Sequence, residues 1–473
     1  MMNNYSQSII IIHCRTRPVK PGAGDKINAG EIPMAFALYN FGCRANQADG
    51  EALAQRLESE GLAAPGRLAV VNTCSVTAEA ESEARRQIRQ LERAGARVLV
   101  TGCYAQRAPE QLMRLPGVEW VIGNAEKADI PKILRAAGVF SSAPVKPAPA
   151  AVASARFANP GWLLPIHSGS QTRPVLKVQE GCGQGCAFCI IPSTRGRSRS
   201  LPLEEVVDHL ERLVAEGARE AVLSGIHLGH WGRDLEPRRT PAALVEAILQ
   251  QTRIEQLRLS SIEPMDWSSR LIELLAHPRV APHAHVPLQS GSRSVLRRMR
   301  RRYRPQDYEQ KIEAIHAAAP AAAIGADVMA GFPGESAAEF EENYSFIEQL
   351  PLSYLHVFPF SERPGTEAET GLQTGQWPAV PETEKQARAD RLRALEQQKQ
   401  AAFAARFQGR PLRCLTLKGG AAGTTQALSG NYLKIEVAGD YAANQWLMVT
   451  VKTTAEGKLA GTAGEFNAGQ PPA

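Results

Sequence analysis

The sequence predicts an α/β protein in three parts: an N-terminal open parallel α/β sheet, a central partial (β/α)6 barrel, and a small C-terminal β-barrel. Three observations predict it. Short apolar runs alternate with helical stretches from residue 34 to 137 and again from 174 to about 360, as βαβ units do. Residues 138–173 are rich in proline and read as an extended linker between the two series. Beyond Gly409 the pattern changes to short β-type runs, Leu412 to Leu417, Leu433 to Val437 and Trp446 to Val451, with Gly, Ala and Thr between them.

The domains so drawn are 34–137, the linker 138–173, 174–405 with a trailing charged helix, and 406–460, followed by a disordered tail at 461–473. Residues 1–33 show no commitment to helix or strand and read as a disordered extension, or as sequence upstream of a start at Met34. That leaves Cys14 as the poorest ligand candidate among the cysteines. A chain of 473 residues is too long for one core, and 44% hydrophobic residues can fill several. A net charge of +6 permits a polyanionic partner without establishing one. Eight cysteines are far below the density of a disulfide scaffold and suit metal binding in a reducing compartment, which points to the cytoplasm. No apolar run approaches the ~20 residues needed to span a bilayer, so no membrane partner is expected.

In the first series the apolar runs Ala35 to Phe41, Leu68 to Val71 and Val98 to Thr101 each lead into a cysteine: Cys43, Cys74 and Cys103. Ligands of an open parallel sheet bind at the carboxyl ends of its strands. Three cysteines at three such ends would converge although 31 and 29 residues separate them. Any one of them could be a small buried hydrophobe; the shared topological position favours convergence on a [4Fe-4S] cluster with one iron left open. Asn46, Gln47 and Asn72 flank them and would either hydrogen-bond a cluster or cap a helix.

The second series opens with the strand Val175 to Val178 and a loop holding Cys182, Cys186 and Cys189. A structural zinc site needs four ligands, and the nearest histidines, His167 and His209, are remote in sequence. Three thiolates suit a [4Fe-4S] cube with one open iron; a disulfide with a spare thiol and a partial zinc site are the competing readings. Further strands are Glu220 to Ile226, Leu257 to Ile262, His283 to Leu288, Ala323 to Met329 and Tyr354 to Phe358. Their carboxyl ends carry Ser224, Gly225, Glu263, Gln289, Ser290 and the stretch Gly331 to Glu335, polar and glycine residues able to approach and bind a nucleoside. Two basic clusters follow: Arg195, Arg197 and Arg199 after the cysteine loop, and Arg297, Arg298, Arg300, Arg301 and Arg302 with Arg293 and Arg304 beside them. Arginine suits bidentate phosphate contacts, so these are RNA-binding candidates, the plainer alternative being an exposed helix of a basic protein.

The C-x3-C-x2-C spacing, with Phe188 before the last cysteine, resembles the cluster loop of radical S-adenosylmethionine (SAM) enzymes. In that superfamily the open iron chelates SAM, and one electron cleaves it to a 5′-deoxyadenosyl radical. From Met34 to about Val451 the chain is similar to the methylthiotransferases. The matching stretches are Asn40 to Cys43, Val71 to Val76, Val100 to Gln106, the Cys182 loop, Pro287 to Ser292 and Gly331 to Glu335. The resemblance implies two [4Fe-4S] clusters, SAM as radical source and methyl donor, and a C-terminal RNA-binding TRAM domain. It also implies a tRNA anticodon stem-loop as partner, with an electron donor and a sulfur donor. Ser224 to Gly229, Leu259 to Pro264, Gly196 to Ser200 and Leu355 to Ser361 look like the branch acting on N6-threonylcarbamoyladenosine 37. The alternatives are isopentenyladenosine 37, a ribosomal-protein aspartate, or a non-catalytic iron-sulfur RNA-binding regulator. Gly183 to Gly185 depart from the family, where Asn and an aromatic residue are common.

Overall fold

A computed structural model describes residues 10–15, 34–60, 68–139, 150–152, 161–167, 171–454 and 457–464. The chain folds as two compact units. One is drawn from Met1–Ser170, Gly181–Gly183 and Ile190–Arg197, the other from Gln171–Glu180, Gln184–Cys189 and Ser198–Ala473.

The first unit is a six-stranded sheet in sequential order: β1 (Ile10–Arg15), β2 (Met34–Asn40), β3 (Leu68–Thr73), β4 (Arg97–Gly102), β5 (Val118–Ile122) and β6 (Ala150–Val152). From β2 onward all neighbours are parallel, and β1 is antiparallel to β2. Every residue of β3 is buried, as expected for a parallel strand covered on both faces. Leu38, Leu53, Val70, Leu99 and Trp120 fill one face; Phe41, Val71, Ile88, Val100 and Tyr104 fill the other. The helices Arg44–Ser59 and Ala78–Arg93 cover the sheet, the second capped by Thr77, whose hydroxyl accepts from Ala80 N at 3.2 Å. Sequence periodicity placed no strand within 1–33 or 138–173, yet β1 and β6 lie there. Both are added at the sheet's margins, where an existing edge supplies the hydrogen bonds and little pattern is needed. The rest of residues 1–33, most of 138–173, and the Cys14 side chain lie outside the described residues.

The second unit begins with β7 (Val175–Glu180), β8 (Arg199–Ser200), β9 (Glu220–Gly225), β10 (Gln256–Leu259), β11 (His283–His285), β12 (Ala323–Ala330) and β13 (Tyr354–Pro359). Two sheets form, β10-β9-β7-β8 and β11-β12-β13, parallel except for β8. Ile262 N–H donates to His285 O at 3.0 Å and Leu257 bridges to Val280, joining β10 to β11. The six parallel strands therefore follow one another around an arc, the expected partial (β/α)6 barrel.

The C-terminal barrel closes in the order β14 (Pro411–Thr416), β15 (Thr424–Ser429), β16 (Lys434–Ala438), β18 (Leu459–Gly464), β17 (Trp446–Thr453). Cys414 is fully buried in it, a core residue as the sequence suggests. The barrel extends to Gly464 rather than ending at 460; a Cβ on Gly461 would lie 2.3 Å from Val449 Cγ1, so a side-chain-free residue lets β18 close against β17. Arg258 of β10 donates to the carbonyls of Gly430 and Ser429 at 2.9 and 3.3 Å. Glu255 accepts from Trp446 Nε1 and Arg413 at 2.7 and 3.0 Å, which docks this barrel on the (β/α) barrel.

Candidate functional site

In the first unit Cys74 and Cys103 stand immediately after β3 and β4 and Cys43 three residues after the end of β2, the strand-end placement expected from the sequence. Cys43 caps the helix Arg44–Ser59, and Cys103 opens the short helix Cys103–Arg107. Two glycines make the approach possible. A Cβ on Gly42 (φ +88°) would lie 2.3 Å from Cys74 Cβ, and one on Gly102 (φ +99°) 2.2 Å from Thr73 O. Burial raises the Cys43 thiol, opposed by Arg195, and pushes the Cys74 thiol up to about 12, with Cys43 and Cys103 adding to the rise. The three sulfurs thus sense one another. Backbone N–H groups of Asn46 on Cys43, and of Val76 and Cys43 on Cys74, already favour the thiolate form. Three thiols, Cys74 and Cys103 buried and Cys43 half-buried, with donors turned toward them and none in a disulfide, fit an iron-sulfur cluster.

Asn46, Gln47 and Asn72 brace the strand ends. Asn46 Nδ2 donates to Phe41, Asn72 and Thr73 carbonyls at 2.7 to 3.3 Å, Asn72 Nδ2 to Asn40 Oδ1 and Asn46 O, and Gln47 Nε2 to Gly42 O. Arg195, read from sequence as an RNA contact, is 2% exposed. Its Nε donates to Cys103 Sγ at 3.2 Å, while its other nitrogens reach Asp49 and Asn46 at 3.2 and 3.1 Å. A guanidinium buried to this degree does not reach a phosphate in solvent, and that expectation is corrected. Lys127 also donates to Asp49, at 3.3 Å, and Asn124 Nδ2 donates to Cys103 Sγ at 3.4 Å. One carboxylate facing two buried cations leaves positive charge beside the thiols. Lys127, Asp49 and Asn124 were not legible in the sequence, since nothing local marks residues whose partners stand 21 to 146 positions away.

In the second unit Cys186 and Cys189 are half-buried, with Cys189 N donating to Cys186 O at 3.0 Å; Cys182, in the first, is half-buried and donates its N–H to Gly196 O at 3.1 Å. Arg301, also expected to bind RNA, is 9% exposed. It donates to Cys186 Sγ at 3.3 Å, to Tyr303 Oη at 3.2 Å and to the Glu263 carboxylate. Here too a carboxylate, half-buried, pairs with the arginine. Arg298 is paired with Glu339 at 2.8 Å, which holds that carboxyl down at about 2. Arg197, Arg297, Arg300 and Arg302 are exposed and Arg199 is half-buried.

Of the rim residues, Ser224 and Ser290 are buried at the ends of β9 and of the loop after β11. Gln289 is a non-glycine residue at φ +68°, and its Oε1 is buried without a hydrogen-bond partner. A strained backbone presenting an unsatisfied acceptor is the signature of a binding position and fits the amino group of SAM. Gly225 admits no Cβ, its neighbour Gln179 Cβ being 2.9 Å away. Glu335 accepts from Gly331 N at 2.8 Å and pairs with Arg388 at 2.7 Å, closing its own loop. His227 pairs with Asp266 at 2.7 Å.

The Radical SAM superfamily matches residues 176–347, and a family described as Uncharacterized protein family UPF0004 matches residues 35–123. A radical SAM methyltransferase, TsrM from Kitasatospora setae, shares the fold with a TM-score of 0.50 at 18% identity, covering 68% of this chain and 70% of its own. The protein is a radical SAM enzyme, a class that works with a [4Fe-4S] cluster and SAM. The Threonylcarbamoyladenosine tRNA methylthiotransferase MtaB of Aquifex aeolicus is 34% identical over 86% of this chain and 97% of its own length. That of Thermotoga maritima is 31% identical over 92% and 98%. A tRNA-2-methylthio-N(6)-dimethylallyladenosine synthase of Anaeromyxobacter dehalogenans is 33% identical over 80% and 83%. The chain belongs to the tRNA methylthiotransferase family. Among the described residues no helix is long and apolar enough to cross a membrane.

Proposed function

We propose that this chain replaces the C2 hydrogen of N6-threonylcarbamoyladenosine 37 in tRNA with a methylthio group, sulfur bonded to C2 and the methyl carried on that sulfur. The observation that carries the reading is the gathering of Cys43, Cys74 and Cys103 at three adjacent strand ends, in a chain that also holds the Cys182, Cys186, Cys189 loop. One cluster suffices to generate a radical; a second set of three thiolates, beside buried cations, accounts for a sulfur-delivering one. The relatives from Aquifex and Thermotoga and the stretches Ser224 to Gly229 and Leu259 to Pro264 support the threonylcarbamoyl substrate.

When bound, SAM at the Cys182, Cys186 and Cys189 cluster would supply the 5′-deoxyadenosyl radical that removes the C2 hydrogen, a group held by Cys43, Cys74 and Cys103 would supply the sulfur, and a second SAM the methyl group. The chain's own residues bind and orient. The Gln289 amide oxygen accepts from the amino group of SAM, Ser224 and Ser290 offer hydroxyls, Gly225 lets the backbone come close, and Arg301 holds Glu263 toward a ribose hydroxyl. In the first unit Arg195 and Asn124 hold the Cys103 sulfur in place. Base 37 leaves the anticodon stack to react, as unstacked loop bases do in RNA readers. The exposed Arg197, Arg297, Arg300 and Arg302, with Arg199 and the C-terminal barrel, grip stem phosphates. An electron donor and a sulfur donor complete the cycle, as the cytoplasm provides.

The test is nucleoside mass spectrometry of bulk tRNA from cells with and without the gene. Loss of the methylthio form with accumulation of its threonylcarbamoyl precursor is the expected result. Loss of methylthio-isopentenyladenosine instead would move the substrate to the other branch; an unchanged tRNA profile would overturn the tRNA reading.

A further inference from the structure

Inside the (β/α) barrel, in a group that contains no cysteine, three side chains on adjacent strands meet. His285 ends β11, Asp327 lies in β12 and His356 in β13, with Asp327 and His356 paired in register. They face the concave side. By strand alternation His285 shares a face with His283, and His356 with Tyr354. Tyr354 stacks on Tyr432 at 5.9 Å, His283 lies tilted against the same ring at 4.6 Å, and Arg258 from β10 covers it at 5.3 Å. Only the inner face of the arc lets side chains from β10, β11 and β13 reach one ring.

His285 Nε2 and His356 Nδ1 are each 3.2 Å from Asp327 Oδ1 and 3.1 Å from each other. A hydrogen-bonded chain alternates donor and acceptor and aims each proton at one partner. Here the atoms form a nearly equilateral triangle, so a proton on either nitrogen is divided between two acceptors. The same triangle matches the shell of one ion: with metal–ligand bonds of about 2.0–2.1 Å, ligands 3.1–3.2 Å apart subtend about 100°, between octahedral and tetrahedral values. A second observation points the same way. His285 Nδ1, the nitrogen turned away from the triangle, is 2.7 Å from Ser261 Oγ, the outer partner that fixes tautomer and ring orientation in metal-bound histidines.

A neighbouring group of similar composition shows what the triangle has and the other lacks. His227, His230 and Asp266 also cluster, but the two imidazoles stack face to face at 3.5 Å and Arg233 occupies the remaining Asp266 oxygen at 2.5 Å. A guanidinium in the shell repels a cation, and His230 is held down near 4 by burial, His227 and Arg233.

We propose that His285, Asp327 and His356 form a binding site for a divalent first-row metal ion, distinct from both cysteine sets, with coordination positions left open toward the barrel interior for an oxygen or nitrogen donor. Two imidazoles and one carboxylate are a donor set that such ions accept.

The test uses the anaerobically reconstituted full chain, incubated with zinc sulfate and desalted. The expected result is about one zinc per chain beyond cluster iron, with an X-ray absorption shell of nitrogen and oxygen at roughly 2.0–2.1 Å and no sulfur near 2.3 Å. Asp327→Asn and His356→Gln should each abolish retention while iron per chain stays at the wild-type value. Ser261→Ala, which leaves all three ligands in place, should weaken zinc affinity about tenfold or more. No zinc retained by the wild type, a sulfur shell, or zinc undiminished in both ligand variants would overturn the site.

Discussion

Cys43, Cys74 and Cys103 come from three strand ends spaced 31 and 29 residues apart, whereas Cys182, Cys186 and Cys189 share one loop of eight residues. The surroundings differ as much as the spacing. Cys74 and Cys103 are 3% exposed and packed so closely that Gly42 and Gly102 have no room for a methyl group. The loop cysteines are half-buried, and nothing lies within 4 Å of where a Cβ would stand on Gly183. A site assembled by a sheet inherits the tight packing of the sheet; a site assembled by a short loop is positioned mainly by its own chain. The first should therefore be fragile toward small steric changes and the second tolerant of them.

Gly42→Ala tests this most severely. The added carbon would overlap Cys74 and require a non-glycine residue at φ +88°, at a combined cost of ~2–4 kcal/mol. If both cysteine sets hold clusters as proposed, iron content should fall from about eight to about four per chain, the loss of one [4Fe-4S] equivalent. Gly183→Ala should leave iron unchanged. Full iron in Gly42→Ala, measured by metal and sulfide analysis, would show that the sheet does not constrain its thiols.

Both triads also have an arginine donating to a sulfur, and the two arginines are held differently. Arg195 shares Asp49 with Lys127, so its removal leaves the carboxylate a cation at 3.3 Å. Arg301 is the ion-pair partner of Glu263, whose side chain is 17% exposed. Truncating it strands a carboxylate, at ~3–5 kcal/mol, against ~1–3 kcal/mol for the lost hydrogen bonds of Arg195. Arg301→Ala should lower the anaerobic melting temperature more than Arg195→Ala. Each should also shift the reduced-state electron paramagnetic resonance of only its own cluster, since hydrogen bonds to sulfur tune the cluster they touch. Equal melting losses would remove the asymmetry.

These two arginines also mark how far the sequence could be read. Strands β2, β3 and β4 and the six barrel strands were legible because buried parallel strands are continuous apolar runs between helical stretches. The cysteines were legible because each closes such a run. Arg195 and Arg301 read as RNA contacts because clustered charge looks the same in sequence whether it faces solvent or a carboxylate of the fold; Asp49 and Glu263 stand 146 and 38 residues away. β15, Thr424–Ser429, and β18, Leu459–Gly464, lack apolar runs and are strands because neighbours in a closed barrel pair with them. The His285, Asp327 and His356 triangle is assembled by strand register alone, which a single sequence does not reveal.

The mildest probe is thiol alkylation of the metal-free protein by iodoacetamide at pH 8, followed by peptide mass spectrometry. Cys186 and Cys189, half-buried, should react about tenfold or more faster than Cys74 and Cys103. Cys414 is the internal marker: burial pushes its thiol up to about 12, so raising the pH from 8 to 10 still leaves it protonated and slow. If Cys74 and Cys103 kept pace with the loop cysteines while Cys414 stayed protected, the first unit would be open without its metal and the C-terminal barrel closed. The tight packing around Gly42 would then be a product of cluster binding, and the sheet would not be a scaffold that precedes it.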